Sequence, residues 1–587
     1  MKNNMKQNRA ALFEVFCAAV CAAAALAMFA RCFFGTELTD EAYAISDMLA
    51  AMHGNVPFAY NMSICAGQVF IPMLFLKAYE FTVPDMESIL LFSRLSFVVF
   101  KLVILWLIYY LLRQDFSRSH RLLMVSTLIP FWGSQMQNFS YNTVSVFLIL
   151  LISVLLYTAH RDSAKMRYCK LLLSGFLTAL AVFAHPARAM AVFAFWAVIW
   201  INSNPGQRLK NIFWYCAGGI AGILVVMIPI GLSVGFNRLL YGLETILFYG
   251  QKLEGDSTIS FVRRFIMIFK SGAKYWAALL IGTAGGCAAF MYLAKKQNKQ
   301  TDRKNCWLLA MGIILILELL YAHDFMMTGI IMAGALVVCL PFLRWRGTID
   351  WFIGLPAVAH TLFLLLFTNA SYWDRFLYII PLIVVILRIL FSSQSKAVLR
   401  TGVILAVVFT MQTTVWDYTF MYRDEPISEL KTQVTEGVYK GIYTTEARAK
   451  ELPELENYLN THIRPEETVS FRDNVPVAYM IRNHNVWDIR TWDEMQWNHG
   501  CNDPTGMYRY YKNREGIPDV IAYVDFKFGR ETRSIDHSEE EFQFNAFVNQ
   551  YYELNSDEQI NETFRVRIYR RNELPDPDFD ALIASVK

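Results

Sequence analysis

The chain has 587 residues and a formal net charge of +4, from 54 Lys and Arg against 50 Asp and Glu. It is 55% hydrophobic and only 18% charged, with a mean hydropathy of +0.31, whereas soluble globular chains carry roughly 25% charged residues. This composition excludes an ordinary soluble enzyme, and the sequence has no Lys/Arg run typical of a nucleic-acid partner. It indicates a polytopic α-helical membrane protein.

Apolar stretches dominate the first 421 residues. A helix needs about 20 apolar residues to cross the hydrocarbon core of a bilayer. On that basis the sequence predicts about thirteen transmembrane helices, near 11–34, 88–112, 122–138, 142–159, 171–187, 189–201, 212–234, 272–294, 306–321, 325–343, 351–367, 375–391 and 399–421.

Basic residues recur in every second loop of this series. They begin with Lys2, Lys6 and Arg9, which by the positive-inside rule predicts a cytoplasmic N-terminus. The first loop, 35–87, and the chain after residue 421 are then expected on the outer face. We expect an integral, multi-pass protein of the cytoplasmic (inner) membrane.

The most informative segment is Thr39-Asp40-Glu41, directly after the first span. Thr39 is a good N-cap, and Asp40 and Glu41 suit the positive end of a helix. Apolar residues recur at helical spacing over 42–52, which predicts a short amphipathic helix at the membrane interface, and a second one is expected near 65–80. The two carboxylates either cap this helix or supply a general base that faces an outer cavity.

The composition becomes charged and polar from Tyr422 onward. The pattern predicts a helix near 447–462 and short strands near 468–472, 518–525 and 563–570. We therefore expect two domains: a transmembrane domain over 1–421, and a small extracytoplasmic α/β domain over 422–587.

An Asp-Glu pair that opens the first outer loop resembles the GT-C glycosyltransferases, which include protein O-mannosyltransferases and lipid A aminoarabinose transferases. The resemblance extends to about thirteen spans, interfacial helices in the first loop and a C-terminal outer domain. Further stretches in keeping with the family are Phe139-Ser140-Tyr141-Asn142, His185-Pro186 and Asp374-Arg375-Phe376. The first loop lacks the Lys-Pro-Pro segment of aminoarabinose-type enzymes, so the resemblance is to the superfamily and not to that member.

This resemblance implies transfer of a sugar, of hexosyl or pentosyl type, from a polyprenyl-phosphate donor to a glycan or lipid-linked acceptor on the outer face. Asp40 matches the first acidic residue of the family's pair and is expected to act as general base. Glu41 would orient it or pair with a cation, and a one-step displacement would invert the anomeric centre. The leaving phosphate needs cationic stabilisation, for which Arg375 is the first candidate, before Arg188 and Lys77.

Other polar residues at predicted outer boundaries could line the cavity: His185, Tyr141, Asn142, His323, Asp324 and Asp374. Each also has a structural interpretation as a turn, a salt bridge or a packing contact. No spacing matches a standard metal site, so no metal ligand is predicted, although a divalent cation stays open as a cofactor. The charged residues Glu14, Arg94, Lys101 and Asp350 lie within spans and are expected to form structural pairs, because unpaired charges there are costly.

Two other functions stay open at this stage. A transporter or flippase for lipid-linked saccharides often has internal repeats or helices broken near the midplane; the sequence shows no repeat, and its acidic pair lies at a predicted outer boundary. A GT-C-like polymerase or ligase would join glycan chains from longer lipid-linked donors. Membrane lipids are the remaining expected partners.

Overall fold

The computed structural model describes residues 2–61, 65–131, 137–255, 349–367, 381–421, 423–472, 476–482, 485–487, 505–526 and 543–585. The helices of the first 421 residues are α1 (Lys2–Arg31), α2 (Asp40–Met52), α3 (Pro72–Thr82), α4 (Ile89–Leu111), α5 (Arg118–Ser126), α6 (Tyr141–Ala159), α7 (Ala164–Ala184), α8 (Ala189–Asn202), α9 (Arg208–Val234), α10 (Phe236–Gly255), α11 (Ile349–Phe367), α12 (Leu382–Phe391) and α13 (Lys396–Thr419).

Six of these helices are long and apolar enough to cross a membrane, counted over the described ranges: α1, α4, α6, α7, α9 and α13. Each falls on a predicted span, and α8, α11 and α12 overlap three more. The chain is therefore a multi-pass helical membrane protein. The predicted spans near 272–294, 306–321 and 325–343 lie outside the described residues, and the count of thirteen stays a prediction.

Local sequence signals explain how the central helices begin and pack. Helix α6 starts with a capping box, in which the Ser140 hydroxyl accepts from the Thr143 amide at 3.2 Å and the Ser140 amide donates to the Thr143 hydroxyl at 2.8 Å. Helices α7 and α9 approach closely at Gly175 and Gly218, where an added Cβ would overlap backbone of the other helix. Small residues of this kind let membrane helices pack backbone against backbone.

The predicted span near 122–138 is wrong as a single helix. Helix α5 ends at Ser126, four residues before Pro130, because a proline ring clashes with the carbonyl of the residue four positions earlier. Residues 127–131 are buried but not helical. On either side of this region, Arg118 pairs with Glu14 of α1, and Asn138 donates to Glu41 in the first turn of α2. Irregular backbone is tolerated at such depth only when protein encloses it.

The two helices predicted in the first loop also differ from expectation. Helix α2 is more enclosed than an amphipathic surface helix would be, because every residue from Glu41 to Ala50 is buried within the protein; its position at the membrane interface stays a prediction. Its alanines allow close packing, and its polar groups bond inside the protein, as Ser46 does by donating to the Pro476 carbonyl at 2.7 Å. The second predicted helix divides into a short 3-10 turn, Ala66–Val69, and α3, which Pro72 begins.

Helix α10 was not predicted. Its sequence mixes charged residues such as Arg238 and Glu244 with apolar ones, so no continuous apolar run marks it, and the span prediction treats it as part of a loop. Its N-terminus follows directly on the end of α9 at Gly235, which adopts a φ of +91° that glycine accepts without strain.

The C-terminal region, residues 423–585, contains the strands β1 (Thr432–Gln433), β2 (Tyr443–Thr444), β3 (Val469–Arg472), β4 (Val520–Phe526), β5 (Tyr552–Gln559) and β6 (Phe564–Arg571). Its helices are α14 (Glu446–His462), α15 (Pro476–Ile481), α16 (Thr505–Arg514), α17 (Gln543–Tyr551) and α18 (Phe579–Ser585). A four-stranded sheet has the order β3-β4-β6-β5, with β3 and β4 parallel and the other pairs antiparallel.

The predicted helix and all three predicted strands of this region are found. Strand β5 was missed because it is a polar, exposed edge strand with no apolar alternation. The region shares one continuous apolar core with the helices of the bundle, and α15 packs directly on α2. The division into domains at residues 421 and 422 stays a prediction.

Candidate functional site

The loop between α1 and α2 brings three carboxylates together at the end of the bundle against which the C-terminal region packs, here called the site end. Glu37 is buried and caps α2: its carboxylate accepts from the Thr39 amide at 3.0 Å and from the Glu41 amide at 2.6 Å. Thr39 was predicted to be the cap, but its hydroxyl donates to Glu37 instead of accepting from the helix. A carboxylate at this position satisfies amides that the first helical turn leaves unpaired.

The side chain of Glu41 is fully committed to a buried ion pair. The Nε and Nη2 atoms of Arg94, on α4, donate to its two oxygens at 2.7 and 2.6 Å, and Asn138 donates to it at 3.2 Å. Arg94 also donates to three backbone carbonyls between Cys32 and Gly35. Glu41 was expected either to orient Asp40 or to pair with a cation, and its contacts match the second of these roles. The pair fixes the loop that leads into α2, as expected for a structural role of Arg94.

Asp40 differs from its two acidic neighbours. Its side chain is 27% exposed, and its carboxylate lies 3.4 Å from Nη1 of Arg423 in the C-terminal region. The same guanidinium donates to the Thr39 hydroxyl and lies 3.6 Å from Glu37. Asp40 is thus a carboxylate at a helix N-terminus, beside a cation and open to solvent, which is the environment in which a proton can be exchanged with a substrate.

Burial and the nearby charge of Asp40 raise the pKa of Glu37 to about 8, against an opposing effect of Arg423. The hydrogen bonds that the Glu37 carboxylate accepts from the Thr39 side chain and the Glu41 amide also oppose this increase.

A second polar group, which we call the Asp47 cluster (Asp47, Asn61, Gln68 and Tyr141), lies two turns further along α2. The Asp47 side chain is wholly buried, and the side-chain amides of Gln68, at 2.8 Å, and Asn61 donate to it. Gln68 also accepts from the Tyr141 amide at 2.8 Å, so it joins α2 to the first residue of α6. Burial raises the pKa of Asp47 to about 7, and the two amide donors oppose this increase.

Four of the predicted site residues lie near this cluster. Tyr141 and His185 place their rings 5.3 Å apart, edge to face, and Asn142 is the next residue of α6 and is buried. Arg188 is only 1% exposed, and its Nε and Nη2 atoms donate to the Ser145 hydroxyl at 3.0 and 2.8 Å. The cavity beside Arg188 holds about 20 Å³, which is room for a single water and not for a sugar.

The other predicted site residues are not brought to this group. Lys77 is exposed on α3, and no described contact joins it to Asp40 or Arg188. His323, Asp324, Asp374 and Arg375 lie outside the described residues. Of the predicted charge pairs, Asp350 binds Arg388 in a buried ion pair, and Glu14 pairs with Arg118 at 2.7 Å.

Sequence reasoning missed Glu37, Asp47 and Arg423. Glu37 is a third acidic residue in the same short loop as Asp40 and Glu41, which was a usable signal. Arg423 follows the last span at its predicted outer end, where the positive-inside rule disfavours a basic residue, and that exception could have marked it. Asp47 gave no signal, because an acidic residue on a helix is usually exposed.

No group of three or more His, Cys, Asp and Glu side chains placed to hold a metal ion is found within the described ranges. At the start of α2, Nη1 of Arg423 lies 3.6 Å from the Glu37 carboxylate and 3.4 Å from that of Asp40.

Two examples stand among the solved structures that are similar to this chain. One is an oligosaccharyltransferase from Archaeoglobus fulgidus in complex with zinc and sulfate, at 13% identity and a TM-score of 0.42, over 91% of this chain and 71% of that one. The other is ArnT from Cupriavidus metallidurans bound to undecaprenyl phosphate, at 10% identity and a TM-score of 0.40, over 94% and 97% of the two chains. Both are glycosyltransferases of the GT-C fold, the superfamily that the sequence resembles.

No family model and no curated protein sequence matches the chain. Because both TM-scores lie below 0.5, no residue's role is transferred from either structure, and a function has to be inferred from the residues of the site.

Proposed function

We propose that this protein is an integral-membrane glycosyltransferase that moves a sugar from a polyprenyl-phosphate donor to an envelope glycan or lipid-linked acceptor, with inversion, and that Asp40 is its general base. The observation that carries the proposal is the difference between the three carboxylates of the loop. Glu37 and Glu41 are buried and committed to the protein, whereas Asp40 is partly exposed at the start of α2 beside Arg423. The donor class follows from the sequence resemblance.

In this mechanism Asp40 takes the proton of the acceptor hydroxyl as that oxygen attacks the anomeric carbon. The bond between the anomeric carbon and the phosphate oxygen breaks in the same step, and the phosphate leaves with the electron pair. One displacement inverts the configuration at the anomeric carbon. The protein must hold the base within hydrogen-bond reach of the hydroxyl and place positive charge where the phosphate charge grows.

The buried pair of Glu41 and Arg94 would hold Asp40 in place. Arg94 ties the end of α1, the loop and the first turn of α2 together through five hydrogen bonds to Glu41 and the loop carbonyls. Glu41 is therefore proposed as a positioning residue and not as a second base. A carboxylate whose backbone is fixed in this way needs little reorganisation when the substrate arrives.

Cations for the leaving phosphate are proposed in a revised order. Arg423 is added to Arg375 because it is partly exposed and already faces Asp40. Lys77 stays a candidate because it is exposed on α3. Arg188 is placed last because it is buried against Ser145 and lines only a small cavity; with His185, Tyr141 and Asn142 it would shape the wall behind the site.

The orientation is also proposed. The site end carries Asp40 and the C-terminal region, and the opposite end carries Glu14, Arg118 and the basic loops that join α6 to α7 and α8 to α9. The positive-inside rule then places the basic end in the cytoplasm and the site end outside the inner membrane.

One observation favours a second candidate function. Helix α5 ends at Ser126 and is followed by the buried, non-helical residues 127–131, and helices broken near the midplane are common in transporters. A flippase for lipid-linked saccharides would use such a segment without forming a glycosidic bond.

The experiment that separates these functions follows the destination of the sugar. The full-length protein is reconstituted into vesicles with a panel of polyprenyl-phosphate donors that carry radiolabelled hexoses or pentoses, together with extracted envelope acceptors. Label that becomes covalently attached to an acceptor supports transfer, and the donor that works identifies the sugar class. Movement of intact labelled lipid to the other leaflet without a new glycosidic bond supports transport and contradicts the proposal. Products that lengthen by whole glycan blocks indicate a polymerase or ligase.

A further inference from the structure

The end of the bundle opposite Asp40 contains a polar cavity of about 40 Å³ that is partly open to solvent. It lies beyond the last residue of α6, Ala159, which is about 28 Å along that helix from its first residue, Tyr141. Its polar lining comes from the loops that begin α7 and α9: His160, Arg167, Asn202, Ser203, Gln207 and Asn211. The proposed sugar chemistry makes no use of this cavity.

A hydrogen-bond donor at this cavity lacks a partner within the part of the chain that the structure describes. Arg167 uses Nη1 on Gln207 and Nη2 on the Asp162 carbonyl, at 3.1 Å, but its buried Nε has none. The buried Nε of Arg208 is also unpaired, but Arg208 does not line the cavity, and its guanidinium lies 5.1 Å from the centroid of the Trp200 ring. A buried guanidinium donor without an acceptor is costly, so an acceptor is expected beside Arg167.

Asn211 is a second polar residue of the cavity lining with an unpartnered atom. It is only 5% exposed, and its amide nitrogen donates to the Ser203 hydroxyl at 2.8 Å while its Oδ1 has no described partner. The two ends of an amide can exchange by a flip. Flipped, Asn211 would accept from the Ser203 hydroxyl and present its NH₂ group to the cavity, which suits an anionic ligand.

The charge around the cavity also favours an anion. Residues 160–170 contain four basic side chains and one acidic one, and residues 203–211 add two more basic side chains. Asp162 is already paired with Lys170 at 2.6 Å. Burial and the charge of Arg167 lower the pKa of His160, so the positive charge around the cavity comes from the Lys and Arg side chains.

Exposed apolar side chains adjoin the polar cavity on both flanking helices. Leu209 and Phe213 on α9 are 75% and 63% exposed, and Leu172 and Leu173 on α7 are also exposed. A soluble anion would leave these apolar side chains uncovered, whereas the acyl chains of a lipid would cover them. We propose that this cavity binds the phosphate of an anionic phospholipid, with its acyl chains against α7 and α9. Free inorganic phosphate carries the same chemical group as the lipid headgroup and could bind in the same cavity.

The test measures binding to the purified full-length protein in detergent. Thermal unfolding midpoints are recorded during titration with phosphatidylglycerol, with zwitterionic phosphatidylcholine and with inorganic phosphate. We expect phosphatidylglycerol to raise the midpoint at the lowest concentration. Arg167→Gln should weaken its apparent affinity about tenfold, the usual effect of losing one charge-assisted hydrogen bond, and Arg167→Lys should not restore it because Lys lacks the planar donors.

Lys165→Gln is the matched control, since Lys165 is an exposed basic residue of the same loop that does not line the cavity. It removes the same charge and should leave the affinity within about twofold of the unchanged protein. If Arg167→Gln does not fold, Asn211→Ala replaces it, because Asn211 lines the cavity, and a loss of affinity in the same direction is expected.

Three results would overturn the proposal. The first is an equal response to phosphatidylglycerol and phosphatidylcholine, which would remove the preference for an anion. The second is an equal loss of affinity in the Arg167 and Lys165 variants, which would mean a diffuse charge effect. The third is saturation by inorganic phosphate with no further effect of lipid, which would assign the cavity to a free anion.

Discussion

The pair of Glu41 and Arg94 supports a quantitative prediction. Both side chains are almost fully buried, and Arg94 donates twice to Glu41 and three times to backbone carbonyls. Glu41→Gln keeps the size of the side chain and removes its charge, which leaves the guanidinium buried without a countercharge. Breaking a buried ion pair from one side costs about 3–5 kcal/mol, because the charge that remains still lacks water. We expect Glu41→Gln to lower the free energy of unfolding by that amount.

The assay is equilibrium unfolding in mixed detergent and SDS micelles, with Glu87→Gln as the matched control. Glu87 pairs with Lys440 at 2.9 Å, but both side chains are about one-third or more exposed, so that change should cost at most about 1 kcal/mol. A double variant, Glu41→Gln with Arg94→Met, removes the orphaned charge but also leaves three loop carbonyls without their donor, so it should recover only part of the loss. Equal losses for Glu41→Gln and Glu87→Gln would refute the claim that the buried pair holds the loop.

Three further predictions concern other parts of the protein. The folded chain keeps a proton on Asp47 up to about pH 7, whereas the unfolded chain releases it near pH 4. The free energy of unfolding should therefore fall as the pH rises from about 4 to about 7. Asp47→Asn should reduce this pH dependence in unfolding curves taken from pH 4 to pH 8. Gly218→Ala places a methyl group into the backbone of α7 and should lower stability by about 1–3 kcal/mol or more, whereas Gly206→Ala, with open space around it, should change the unfolding midpoint little. Arg423→Gln should slow sugar transfer about a hundredfold with folding retained; unchanged turnover would remove Arg423 from the site.

The transmembrane helices could be predicted because an apolar run of about 20 residues has few alternatives in a membrane. That rule fails where local chemistry interrupts the run. Pro130 ends α5 early, and the mixed sequence of α10 hides a helix that α9 leads directly into. Three strands of the C-terminal region could be predicted from β-branched and aromatic runs. Strand β5 was missed because it lies at an exposed edge and is polar.

The site was predictable only in part. The Asp-Glu pair is local in sequence, so Asp40 and Glu41 could be identified, but their different environments depend on partners far along the chain. Arg94 and Arg423 are 53 and 383 residues away from the acid that each contacts. The burial of α2 depends on the cover provided by α15, which a hydropathy pattern within α2 does not reveal.

The most direct test of the account compares the rate of sugar transfer by Asp40→Asn with that by Asp85→Asn. Both residues lie in the first loop and both changes remove one carboxylate, but Asp85 is exposed and away from the start of α2. The account predicts that Asp40→Asn loses at least about a hundredfold in turnover, as expected when a general base is removed, while the two variants reach equal levels in the membrane and Asp85→Asn keeps full activity. Turnover by Asp40→Asn equal to that of Asp85→Asn would contradict the role of Asp40.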